Sequence, residues 1–416
     1  MTPAPRAVLI LGALALSALL LPIGVVALLA TALVAVTVVD ARAARRKPQV
    51  ERDVPEVLSR GVPSTLRVKA PAPAGGHVRV RQAAPASLEI EPREGDGTLE
   101  ASVVATKRGR HVLPAVAARA TGPLGLARWD HAGGDDAAVR VFPDLRAARR
   151  LALAVARGRF RDQGATARGP LGLGTEFELI RDYEPDDDIR QVNWRATARL
   201  GRPMSNQYRL EQDRDLLLLI DAGRLSSAPI GNEHMTILDA ELDAAAALAF
   251  VADELGDRTG AVAFDDEVRT ALPPRRAGGQ PVVRALFDLE SRAVDSDYEL
   301  AFHRAGGSKR ALVVVLCDLL EEAAARPLVR AVPVLTRRHA VVVASPSDPV
   351  LETLARGGEG RLAEARATVA QDVLAARARA AAQVRAAGAR VIEAPPDRLP
   401  STLVAAYLRA KSRAIL

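Results

Sequence analysis

The chain has 416 residues, 49% of them hydrophobic and 26% charged, which excludes a disordered or collagen-like polymer and allows two or three domains. Its one cysteine, Cys317, excludes a disulfide framework and any multi-cysteine zinc or iron–sulfur centre. The net charge of +7 divides unevenly: residues 1–50 are +4, residues 361–416 are +6, and the stretch between them is −3. Single-stranded nucleic acid asks for a basic groove interleaved with aromatics, and aromatic residues are only 3% here, so no nucleic-acid partner is expected.

From Ala7 to Val39 no side chain is charged. That run is longer than the roughly 20 apolar residues of one span, and Leu21-Pro22-Ile23-Gly24 breaks it near the middle. Two short helices of about 15 residues each, joined as a hairpin over residues 1–47, are expected; one tilted helix is the alternative. Arg42, Arg45, Arg46 and Lys47 follow directly, and such clusters stay cytoplasmic. Either topology leaves residues 48–416 in the cytoplasm. The segment is too long for a cleaved signal peptide and reads as an anchor in the plasma or inner membrane.

Residues 48–142 read as a small all-β sandwich. Alternating runs at 64–69, 77–81 and 87–91, then 98–106, 111–120 and 137–142, are separated by Pro and Gly clusters at roughly ten-residue spacing. His77, His111 and His131 lack metal-ligand spacing. Residues 143–214 read as a linker with a short helix near 145–156, a glycine-rich loop at 168–174 and a charged stretch. The loop has no Gly-Lys-Ser/Thr ending and no preceding strand, so it does not read as a phosphate loop.

The charged stretch is residues 176–214, with signs alternating around a few large apolar groups. By itself it reads as a solvated helix start, with Asp186, Asp187 and Asp188 facing the helix dipole. Calcium binding is disfavoured by the absent EF-hand spacing and by the neighbouring arginines. Residues Arg181, Tyr183, Pro185, Asp187, Asp188, Arg190, Trp194 and Arg199 resemble the signature of domain-of-unknown-function family 58. Asp186 departs from it, standing where the family usually has glycine. The resemblance extends to Lys107-Arg108-Gly109-Arg110-His111 and to Gly122-Pro123-Leu124-Gly125-Leu126.

From Asp215 to the C-terminus continuous apolar runs alternate with helical stretches, which argues for a doubly wound, mostly parallel sheet. The family resemblance implies a von Willebrand factor A-like fold. Ligands of such sheets sit beyond the carboxyl ends of the strands, where Asp221 and Asp318 are expected as neighbours. Active von Willebrand A domains hold Mg²⁺ there through Asp-x-Ser-x-Ser, a Thr and an Asp. This chain reads Asp221-Ala222-Gly223-Arg224-Leu225, so both serines are missing; Ser226, Ser227 and Ser296 lie out of register. Asp221, Ser296 and Asp318 are thus expected to form a degenerate metal site, with Arg224 as their salt-bridge partner or as a fixed charge in the cation's place. Cys317, in an apolar strand, reads as a buried inert thiol.

No catalytic motif is present, so no enzyme activity and no cofactor are expected. The resemblance implies a membrane-anchored adaptor partnered by a MoxR-type AAA+ ATPase in the assembly of protein complexes. The alternative is a hydrolase using the acids of residues 182–188. The basic C-terminal helices, 362–387 and 400–415, read as a solvated face, with contact to anionic headgroups as the alternative.

Overall fold

The computed structural model describes residues 2–72, 75–158, 160, 176–184, 189, 192–209, 213–305, 309–320 and 322–412. Its contacts divide the chain into two units, Met1–Phe142 and Pro143–Leu416.

The first unit opens with β1 (Thr2–Pro3), α1 (Pro5–Ser17) and α2 (Ile23–Ala44). The strands β2 (Glu51–Asp53), β3 (Val57–Ser59), β4 (Ser64–Lys69), β5 (His77–Arg81), β6 (Leu88–Glu91) and β7 (Glu94–Asp96) follow. Then come β8 (Thr98–Ala105), β9 (Gly109–Leu113), β10 (Val116–Thr121), β11 (Ala127–Gly133) and β12 (Ala137–Phe142). They form sheets ordered β2-β4-β8-β6, β1-β11-β10-β5-β7 and β3-β12-β9. Strict alternation builds the shared core: Leu66 and Val68 of β4, Val78 and Val80 of β5, and Leu99, Ala101 and Val103 of β8 all point inward. Two differences from the sequence reading stand out. The expected strand at 111–120 is two strands, because Pro114 interrupts it, and β11 was not anticipated.

The apolar N-terminus folds as two unequal helices of 13 and 22 residues rather than two of similar length. At 1.5 Å per residue α2 is about 33 Å long, enough for a bilayer core of ~30 Å, while α1 is about 20 Å. Only α2 is long and apolar enough to cross a membrane, by length and composition, among the described residues. Both helix ends return to one strand. Thr2 pairs with Arg128 of β11, and the Ala4 amide donates to Leu126 O at 2.8 Å. At the far end of α2 the Asp40 carboxylate accepts from the amides of Leu124 (2.8 Å), Leu126 (2.7 Å) and Ala127 (2.9 Å). That close wrap requires glycine at 122, where a Cβ would fall 2.3 Å from the Asp40 carboxyl carbon.

The second unit begins with α3 (Leu145–Ala156), β13 (Glu176–Asp182), α4 (Trp194–Leu200) and β14 (Met204–Arg209). Next are β15 (Asp215–Asp221), β16 (Pro229–Ile230), β17 (Asn232–Thr236), α5 (Ile237–Glu254), β18 (Arg258–Phe264) and β19 (Val268–Arg276). Helices α6 (Gly279–Leu286) and α7 (Tyr298–Ala305) lead to β20 (Ala311–Leu316), α8 (Glu322–Thr336) and β21 (Ala340–Pro346). The chain closes with α9 (Pro349–Ala355), α10 (Arg361–Ala386), β22 (Arg390–Ala394) and α11 (Leu399–Ser412).

The main sheet is ordered β19-β18-β15-β20-β21-β22. Its strands are parallel except β19, an antiparallel edge that the sequence reading lacked. Both faces are covered, which is why β15 is a continuous apolar run. Leu216, Leu218 and Ile220 join one core with residues of α5, α6 and α11, while Leu217 and Leu219 join another with residues of α7, α8 and α10. A capping box starts α5: Thr236 Oγ1 accepts from Asp239 N and the Asp239 carboxylate accepts from Thr236 N. The short helix expected near 145–156 forms as α3, and its Ala152 lies in the same core as α5.

Candidate functional site

The first strand of the sheet, β15, lies between β18 and β20, so successive strands are laid down on opposite sides of it. The boundary between β15 and β20 is the reversal point where a crevice opens beyond the strand ends. Asp221 is the last residue of β15, and Asp318 follows β20 by two residues. The two expected acids are therefore neighbours, both buried.

Each is already committed to side chains of its own. The Asp221 carboxylate accepts from Ser296 Oγ, from the Tyr298 hydroxyl and, at 2.8 Å, from the Gly223 amide. Glycine at 223 is required, since a Cβ there would sit 2.1 Å from Ser296 Oγ. Burial pushes the Asp221 carboxyl above its ordinary range, against the pull of these donors. Tyr298 is held edge-on by Phe264 at 5.3 Å and Phe302 at 6.1 Å, and burial raises its hydroxyl as well.

Asp318 meets an arginine that the sequence reading did not single out. Arg377 of α10 donates from Nη1 to Asp318 Oδ1 at 2.8 Å, and from Nη2 to Ser345 Oγ at 3.1 Å and Pro346 O at 2.7 Å. Its side chain is 6% exposed and that of Asp318 1%. Burial raises the Asp318 carboxyl while the guanidinium pulls it back. Asp318 Oδ2 is buried with no hydrogen-bond partner among the described residues. Arg224, expected against these acids, instead pairs with Asp295 at the exposed rim, where Arg292 also pairs with Glu267 at 2.7 Å. Arg377 had a legible signal: it falls on the buried stripe Ala370, Arg377, Ala381, Val384 of an otherwise arginine-studded helix.

Asp221, Ser296 and Asp318 fit Mg²⁺ poorly. The ion takes about six oxygen ligands in near-octahedral geometry. Here both oxygens of Asp221 are engaged by protein donors, and a fixed guanidinium already neutralises Asp318. Cys317 is wholly buried and its thiol is pushed well above the ordinary range by that burial, which suits an inert core group.

Among the described signature residues, no hydrogen bond or ion pair joins Arg181, Tyr183, Trp194 or Arg199 to Asp221 or Asp318. The stretch begins as a strand, not a helix: β13 pairs antiparallel with β14. The helix starts later, at Asn193, whose side chain accepts from the Ala196 amide at 2.9 Å. Arg181 donates to Asp182 O at 3.0 Å and lies 3.6 Å from Glu184. The Tyr183 amide donates to Pro203 O at 3.0 Å. Trp194 is 67% exposed at the first turn of α4, and Arg199 is exposed in its last turn. Asp187, Asp188 and Arg190, with Pro185 and Asp186, lie outside the described residues, as does the 168–174 loop. Of the acids invoked for a hydrolase, Asp182 and Glu184 are exposed and engaged by Arg202 and Arg181.

Taken together, the second unit is an α/β domain with a mostly parallel sheet, in which an internal arginine pairs with the acid beyond β20 and with the end of β21. The chain belongs to the family described as protein of unknown function DUF58, whose family model matches residues 179–391. It is similar to uncharacterized proteins of Mycobacterium bovis and Mycobacterium tuberculosis, 26% identical over 186 residues, 43% of this chain and 56% of each relative. The chain thus spans about half the length of the curated relatives it matches. Among solved structures, a superoxide reductase (neelaredoxin) of Ignicoccus hospitalis overlaps 23% of this chain and 83% of its own, at 12% identity and a TM-score of 0.15. An overlap that slight bears on neither fold nor activity.

Proposed function

We propose that this protein is a membrane-anchored, cytoplasm-facing adaptor without enzymatic activity, whose sheet domain is a von Willebrand A-like recognition module with its metal site replaced by Arg377. The observation that carries this reading is the Arg377–Asp318–Ser345 network at the ends of β20 and β21, next to the reversal point. A guanidinium there supplies the positive charge that a cation gives related crevices, but it is fixed and has no open coordination position. Such a site suits constitutive recognition of a partner surface better than chemistry on a small substrate. The anchor is supported by α2 and by the return of both helix ends to β11, which would leave both ends on one side of a bilayer. The basic cluster from Arg42 to Lys47 favours the cytoplasmic side.

The partner fitting this reading is a MoxR-type AAA+ ATPase, acting with the protein in assembly or maturation of other complexes. Affinity capture of the full chain from detergent extract, with and without ATP and with crosslinking, tests it. Recovery of an AAA+ ATPase in an ATP-dependent manner is expected. Its absence under crosslinking rejects the partner, and insertion is checked separately by alkaline carbonate extraction of the membranes.

A further inference from the structure

The adaptor reading leaves unused a cavity of about 480 Å³ at the root of the helical pair, lined by Arg6, Arg128, His77, Thr121, Gly122 and Pro123 among others. Its size is within the ~300–1,000 Å³ of small-molecule sites. Arg6 comes from the first turn of α1, and Arg128 from β11 opposite Thr2. The Arg6 guanidinium lies over Gly125, where a Cβ would meet Nη1 at 3.3 Å.

The electrostatics of this cavity are one-sided. Among the described residues neither Arg6 nor Arg128 has a carboxylate partner, and Arg128 Nε is buried with no hydrogen-bond partner at all. Asp40, which lies against Gly122, commits its oxygens to three backbone amides. His77 is paired with Asp96 at 3.2 Å. Two guanidiniums that line one cavity without carboxylate partners suit an anion with several acceptor oxygens, and phosphate matches their planar forks. The cavity also lies where the exposed apolar side chains of α1, Val8, Leu9 and Ile10, begin. A group bound there would have acyl chains within reach of that apolar surface.

We propose that this cavity binds the phosphate of an anionic glycerophospholipid headgroup, gripped by Arg6 and Arg128. The inference rests on the membrane reading of α1 and α2. It does not depend on the partner or on the Arg377 crevice.

The test uses the full chain in neutral detergent micelles, titrated calorimetrically with dihexanoyl phosphatidylglycerol, dihexanoyl phosphatidylcholine or inorganic phosphate. Phosphatidylglycerol is expected to bind saturably and about tenfold tighter than phosphatidylcholine, with about tenfold or more lost in R6Q/R128Q. R6Q alone, a change at an exposed side chain, should lose a smaller part of that affinity, which guards against a misfolded double variant. R46Q removes an equal charge outside the cavity and should stay within about twofold. Equal affinity of R6Q/R128Q and the parent overturns the site. Inorganic phosphate binding as tightly as the lipid, with the same dependence on the variants, overturns the lipid as its source. Failure of the full chain to float with neutral phosphatidylcholine vesicles would instead reject the anchor, so the two failures are distinguishable.

Discussion

Replacing Arg377 with Met probes the crevice most directly. The substitution keeps a long side chain on the buried stripe of α10 but leaves the Asp318 carboxylate buried without its counter-charge, takes the guanidinium donor from Pro346 O, and leaves Ser345 Oγ accepting from the Leu319 amide alone. Breaking a buried ion pair from one side costs about 3–5 kcal/mol. At ~2–4 °C per kcal/mol for a domain of this size, the melting temperature of the second unit should fall by roughly 6–20 °C. The loss should also depend on pH. Burial already raises the Asp318 carboxyl in the folded state, and without Arg377 only the Leu319 amide and Ser345 draw it back, so the folded state binds a proton more readily than the unfolded one. Stability conferred by that proton is full below the unfolded value near 3.8 and is lost as pH rises through the folded value. The gap between R377M and the parent should therefore narrow on acidification and be widest at neutral pH. Thermal melts of the full chain in micelles from pH 4.5 to 8, together with the double variant R377M/D318N, measure this. The double variant should recover most of the loss, because it removes the unpaired charge. A cost below about 1 kcal/mol, or a double variant no better than the single, would refute the reasoning.

Further outcomes follow from the same structure. Tyr298→Phe removes one donor to the buried Asp221 carboxylate and should cost about 1.5–3 kcal/mol in urea unfolding, with a larger penalty at pH 7.5 than at pH 4.5, since Asp221 is raised by burial. An equal cost at both pH values would count against an ionised Asp221 at neutrality. Lys411→Met strands the buried Asp257, which also accepts from the Tyr407 hydroxyl, and should cost about 3–5 kcal/mol and unseat α11. Limited proteolysis that leaves the C-terminal helix as resistant as in the parent would contradict this. Asp40→Ala leaves three amides unsatisfied at roughly 1–3 kcal/mol each, so hydrogen exchange at residues 124–127 should accelerate by at least about tenfold. Unchanged protection there would show that Asp40 does not hold the loop.

Local pattern made much of this fold legible. Alternation gave β4, β5, β6, β8 and β12 within a residue or so, because one buried face imposes a period of two. Continuous apolar runs gave β15, β18, β20 and β21, because strands covered on both faces need no alternation. β11 escaped because Asp130 and the glycine-bounded sequence Ala127–Gly133 carry no clean alternation; its pairing with β10 and β1 defines it. β13 escaped because charges on a two-stranded ribbon look like charges on a helix.

The sequence by itself determined the anchor-like N-terminus, the strand–helix alternation and the placing of Asp221 and Asp318 at strand ends, since each follows from residue type and spacing along a short stretch. Only the tertiary structure decided what answers those acids. Ser296 and Tyr298 reach Asp221 from 75 and 77 residues away, and Arg377 reaches Asp318 from 59. Arg224, three residues from Asp221, turns outward to Asp295 instead. A buried charge is satisfied by whichever donor the packing brings within 3 Å, and nearness along the chain does not settle which donor that is.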